Sequence, residues 1–261
     1  MNTTTSADGT TIAYDRIGSG PALVLVDGAL CSRAQGPLPE VAGQLQDAFT
    51  VYTYDRRGRG DSGDTEPYSP EREIEDLAAV VAEAGGSAYA YGTSSGAALL
   101  LRATAAGVPI TRLVAFEPPF VVDDSRKPIP ADWVDQLAAR EPGQAVKYFM
   151  TKGIGLPGFV VTMMRLMPAW KGMTAVAHTL PYDAKVVGGN CFGKPLDASQ
   201  WESIKAPALI VNGGKSPAWM RTSVAALAQA VPNARHEVVA GQNHMIKATA
   251  IAPVIRAFLT T

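Results

Sequence analysis

Apolar runs of strand length recur along this chain, each followed by a segment of helix length, and that alternation limits the fold more than any other feature. Ala22–Val26 reads A-L-V-L-V, the unbroken apolar stretch of a strand covered on both faces of its sheet. Phe49–Tyr54, Ala88–Tyr91, Arg112–Phe116, Ala208–Val211 and His236–Val239 follow, with Thr11–Ile17 alternating more loosely ahead of them. Between these runs, Leu38, Val41 and Leu45 share one helical face. Ile74, Leu77, Val81 and Ala84 mark a second helix, with Ser69 as cap and Pro70 at the first helical position. Further helices are expected over Ala97–Ala106 and Trp219–Ala230, and a last one ending near Leu259. Strands alternating with helices pair in parallel, so the spacing predicts an α/β fold with a doubly wound, mostly parallel sheet.

The rhythm breaks after Pro118-Pro119. Residues 120–196 hold helix-like stretches and no clear strand, and then the alternation resumes. The expected organisation is one core, 1–119 and 197–261, interrupted by a helical cap insertion over 120–196.

Bulk properties exclude several classes of function. A net charge of -1 gives no electrostatic reason to bind nucleic acid or an anionic membrane surface. No apolar run approaches the ~20 residues of a membrane span, and the first ten residues lack the basic and apolar regions of a signal peptide. The two cysteines, Cys31 and Cys191, have no partner at metal-ligand spacing, which fits reduced thiols in a cytoplasmic protein. The chain has no P-loop, no dinucleotide fingerprint and no metal-ligand cluster, so no cofactor is expected.

Tyr91-Gly92-Thr93-Ser94-Ser95-Gly96 is the segment richest in chemistry. It fits G-x-S-x-G and stands between a predicted strand and a predicted helix. A sharp turn there raises the Ser94 hydroxyl above the sheet, and glycines on either side make room for it. Ser94 is therefore the expected nucleophile. The Ser95 N–H, opening the following helix, is a natural donor to an oxyanion. Of the three histidines, His178 falls in the insertion and His236 within a strand pattern. His244 follows the last strand in a loop, at the edge where ligands gather in open α/β sheets. A neutral imidazole there can take the Ser94 proton and return it to a leaving group.

These residues, together with Tyr54-Asp55-Arg56-Arg57-Gly58-Arg59-Gly60-Asp61-Ser62 and Gly241-Gln242-Asn243-His244, give the chain a resemblance to the α/β-hydrolase superfamily, in its group of small capped serine hydrolases. The resemblance covers nearly the whole chain and implies a serine, acid and histidine in that order. Two positions depart from the commonest pattern. The usual aspartate after the seventh strand falls at Ser216, which carries no charge. Some relatives, haloalkane dehalogenases among them, place the acid after the sixth strand, and the matching residue is Glu117, with Asp123 and Asp124 as weaker candidates. The usual His-Gly after the third strand is Asp27-Gly28, and by position the Ala29 N–H should join that of Ser95 in an oxyanion hole. Asp27 would set a negative charge near that hole unless it is paired.

Five of the eight methionines lie between Met150 and Met173, in the insertion that roofs the site in such folds. Met163, Met164 and Trp170 are therefore expected to contact an apolar small-molecule substrate. The leading expectation is hydrolysis of an ester, lactone or thioester through an acyl-enzyme. A lyase or cyclase on the same fold, or a small-molecule receptor with little turnover, stands as the alternative. The sequence carries no signal for oligomeric state.

Overall fold

Leu23, Val24, Leu25 and Val26 have no exposed surface, as their apolar run requires of a strand buried on both faces. They belong to β3 (Ala22–Val26) in a computed structural model that describes residues 1–261. The other strands are β1 (Asn2–Thr5), β2 (Thr11–Gly18), β4 (Thr50–Tyr54), β5 (Ala88–Thr93), β6 (Ile110–Phe116), β7 (Ala208–Gly213) and β8 (Ala234–Val239). They form one sheet in the order β1-β2-β4-β3-β5-β6-β7-β8. β2 runs antiparallel to both of its neighbours, and every other pairing is parallel. The sequence order reverses direction at β3, whose neighbours are β4 on one side and β5 on the other. Loops leaving the C-terminal ends of β3 and β5 therefore diverge and leave a crevice.

Helices cover both faces. α1 (Leu38–Leu45) and α10 (Ala248–Leu259) bury Leu38, Leu45, Ile251 and Ile255 against one face. α2 (Pro70–Glu83), α3 (Ser95–Ala105) and α9 (Ala218–Ala230) bury Leu77, Leu99 and Val224 against the other. Each such side chain contributes about 1.5–3 kcal/mol through burial. Ser69 takes the extended backbone of an N-cap ahead of Pro70, but its hydroxyl makes no capping bond. No helix is long and apolar enough to cross a membrane.

Between β6 and β7 the chain forms helices joined by loops and no strand. It holds α4 (Trp133–Ala138), α5 (Pro142–Tyr148), a π-helical turn at Phe149–Ile154, α6 (Gly158–Met164), α7 (Ala169–Ala175) and α8 (Leu180–Val187). Val146, Val161 and Leu180 carry the apolar core of the second sheet face up into this segment.

Candidate active site

The turn joining β5 to α3 is sterically determined by its glycines. A Cβ on Gly92 would stand 2.7 Å from the Gly96 carbonyl oxygen, and one on Gly96 would stand 2.4 Å from that of Asp27. Only hydrogen fits at either place. Between them Ser94 adopts φ 54, ψ -126, a region that side-chain-bearing residues rarely occupy and that costs about 1–3 kcal/mol. The loop after β3 passes directly over this serine, for a Cβ on Gly28 would lie 3.1 Å from the Ser94 Cβ. Ala29, the next residue, makes no hydrogen bond through its N–H. As first residue of α3, Ser95 has no acceptor within its own helix.

Glu117 follows β6 at φ 46 and is fully buried. Its Oε2 lies 2.7 Å from Nδ1 of His244, and its Oε1 accepts 2.8 Å from the Gly213 N–H. Holding both carboxylate oxygens leaves the histidine ring one orientation, with Nε2 free, and Phe116 stacks against it at 6.2 Å between ring centroids. Ser216, at the commoner acid position, is buried with no partner for its Oγ. Asp123 instead accepts from the N–H of Ser125. His236 lies in β8 with Nε2 2.6 Å from Asn212 Oδ1, and His178 is a half-exposed neighbour of Asp64 at 3.7 Å.

Ser94, Ser95, Ala29 and His244 line one cavity of about 540 Å³, a size that suits a small molecule. Trp133, Phe149, Met150, Met173, Trp219 and Met220 supply much of its apolar wall. Met163, Met164 and Trp170 do not line it, and the sequence expectation is corrected there. On α6 the buried residue is Val161; Met163, two positions on and about 200° around the helix, points outward with 65% of its surface exposed. Met164 and Trp170 pack against the core from outside the cavity.

Asp27 is buried, and its Oδ1 accepts 2.9 Å from the Gly28 N–H. Burial pushes its carboxyl up to about 7, against the opposing pull of that N–H, Arg59 and Arg56. Burial thus favours the protonated, uncharged form below neutral pH, which eases the conflict between a carboxylate and a nearby oxyanion.

Sequence reasoning did not find the ionic cluster beneath the site. Arg56 donates to Glu73 at 2.6 Å and to Asp183 at 2.7 Å, while Arg59 donates to Asp183 at 2.8 Å and to the Gly28 carbonyl at 2.6 Å. All are buried. Burial pushes the Asp183 carboxyl up, but Arg59 and Arg56 outweigh it and hold the group below its ordinary range. The three arginines of the Tyr54–Ser62 stretch are visible in sequence, but Asp183, on α8, carries no local mark of pairing with them.

The alpha/beta hydrolase family matches residues 33–252, and the chain belongs to it. It is similar to the crystal structure of an alpha/beta hydrolase from Sphaerobacter thermophilus, with 52% identity, a TM-score of 0.91, and coverage of 99% of this chain and 100% of that one. It also resembles N-formylmaleamate deformylase of Pseudomonas putida, 28% identical over 92% of this chain and 88% of the relative. An enol-lactonase from Burkholderia xenovorans shares the fold at 20% identity and a TM-score of 0.71, over 99% of this chain and 100% of that one.

Proposed function

We propose that this chain is a serine hydrolase that cleaves an ester, lactone or thioester of an apolar small molecule. The observation that carries the reading is the fully buried Glu117 carboxylate 2.7 Å from His244 Nδ1, in a site where His244 and the strained Ser94 line one cavity. Glu117 fixes the tautomer that leaves Nε2 unprotonated and stabilises the imidazolium once it forms. His244 removes the Ser94 proton as Oγ attacks the acyl carbon. The developing oxyanion is met by the N–H groups of Ala29 and Ser95, aimed before the reaction begins. Collapse expels the alcohol or thiol, protonated by His244, and leaves an acyl-enzyme. Water, activated by the same histidine, then releases the acid and restores Ser94. An enol-lactonase and a deformylase among the similar proteins agree with chemistry at an acyl carbon.

A fluorophosphonate probe should label Ser94 and no other residue, and 4-nitrophenyl butyrate should be turned over with gain of one water in the product mass. Ser94→Ala should abolish both while keeping the circular dichroism spectrum. Absence of labelling in the folded wild-type protein, or a product formed without water, overturns the reading in favour of a receptor or a lyase.

A further inference from the structure

Four carboxyl, imidazole or guanidinium side chains line the cavity: Asp27, Asp183, His244 and Arg126. Three are satisfied. Asp183 is shared between Arg56, Arg59 and the Ser95 hydroxyl, His244 is engaged by Glu117, and Asp27 is bonded to Gly28 and pushed up to about 7. Arg126 differs from all of them, because it forms no ion pair within 4.0 Å. The titrating group that bears on it is Cys191, whose thiol burial pushes up to about 11 and so keeps neutral.

Arg126 is nevertheless held in place. Its guanidinium carbon sits 4.5 Å from the centre of the Trp219 ring, and Nη2 donates to the carbonyls of Lys152 and Gly153. Nε and Nη1 make no hydrogen bond. Burial disfavours its charge and draws its pKa below the ordinary value, yet a guanidinium stays protonated at neutral pH. The cavity wall thus presents a fixed, half-buried cation with free donors, set in an apolar surround.

We propose that Arg126 recognises a carboxylate on the substrate, so that the natural ligand is an acyl compound whose anionic group is separated from the scissile carbonyl by an apolar spacer. The proposal rests on the serine-hydrolase reading for the acyl bond, but the recognition itself is a property of binding. Guanidinium is well matched to a carboxylate, and a charged hydrogen bond in a partly dehydrated site carries about tenfold or more in affinity. A purely structural clamp between residues 126 and 219 would hold the wall together without discriminating between charged and neutral ligands.

Binding is tested by calorimetry on the Ser94→Ala protein with 4-phenylbutyrate and its neutral amide, 4-phenylbutyramide. The carboxylate should bind at least about tenfold more tightly. Arg126→Gln in the same background should erase that ratio, and Arg126→Lys should keep part of it. Turnover is tested with 4-nitrophenyl esters of succinic, glutaric and adipic acids, each with its far carboxylate free or capped as a methyl ester. In the protein with Ser94 intact, Arg126→Gln should lower the free-to-capped ratio of kcat/KM at least about tenfold for the best spacer. Equal affinity for carboxylate and amide, or a preference that survives Arg126→Gln, overturns the proposal. Should Arg126→Gln fail to fold, a wild-type ratio of one or less across every spacer overturns it as well. Absence of Ser94 labelling overturns the hydrolase reading instead, and the calorimetric ratio still decides the anion site.

Discussion

The Ser95 hydroxyl donates to Asp183 Oδ1 across 2.6 Å, joining α8 to the residue that follows Ser94. Asp183 also receives Arg56 and Arg59, so its removal leaves Arg56 with Glu73 alone and Arg59 buried with no carboxylate partner. Asp183→Ala should lower stability by about 3–5 kcal/mol in urea unfolding. The Asp183 carboxyl is held below its ordinary value, so its contribution is complete above the ordinary carboxylate range and is lost on acidification through the folded-state value. The variant should therefore show a flatter acid limb than the wild type in thermal melts between pH 3 and 6.

Glu117→Gln should preserve the melting temperature to within a few degrees but lower kcat by about 10²–10⁴-fold, because an amide stabilises no imidazolium. Ser216→Ala should change kcat little, since its Oγ is buried without a partner. The loop bearing Ser216 does lie against the His244 loop: the Lys215 N–H donates 2.7 Å to the Gln242 carbonyl. Ser216→Asp in the Glu117→Gln background should restore part of the rate, and steady-state kinetics on an activated ester measure all three.

Asp27→Asn tests the carboxyl that burial pushes up to about 7. The folded state holds this proton more tightly than the unfolded chain, so wild-type stability falls as pH rises from about 4 to 7. Asn removes the group that must ionise in the interior. The variant should gain on the order of a few kcal/mol over wild type at pH 8 and much less at pH 5, as read from denaturant midpoints.

Met150 and Met173 face the cavity, whereas Met163 points away from it. Met150→Ala or Met173→Ala should shift kcat/KM toward longer acyl chains, with about 1–3 kcal/mol per methylene accommodated. Met163→Ala should leave the chain-length profile unchanged.

What could be read in the sequence divides along physical lines. The apolar runs of β3 to β7 encode burial on both faces, and the glycines around Ser94 encode a local steric need, so sheet and turn were both legible. β1 was not: Asn2–Thr5 is a largely exposed edge strand of polar residues, with no apolar alternation to betray it. Glu117 emerged only through family resemblance, because nothing in its neighbours signals a partner 127 residues away. The methionine-rich stretch pointed to the right segment of chain but to the wrong side chains. Composition does not say which helical face turns inward, and Met163 and Val161 share one short helix. Arg126, beside Asp124 and Lys127, and Asp183, within Leu180–Val187, are hidden for a related reason, since a charge reads the same in sequence whether it is solvated or turned inward.

The ionic cluster around Asp183 also bears on how a ligand gets in. α8 is bolted to the loop after β4 by two arginines, whereas α6 and the turn beyond it present Phe159, Met163, Leu166 and Met167 to solvent at 70%, 65%, 88% and 55% exposure. The last helix of the segment is an anchor, whereas α6, in its middle, makes no ion pair and fully buries only Val161. A doorway that opened at α8 would have to pull buried charges apart, while one at α6 need only part apolar side chains. The π-helical turn Phe149–Ile154, next to α6 and forming part of the cavity wall, stands at that second threshold.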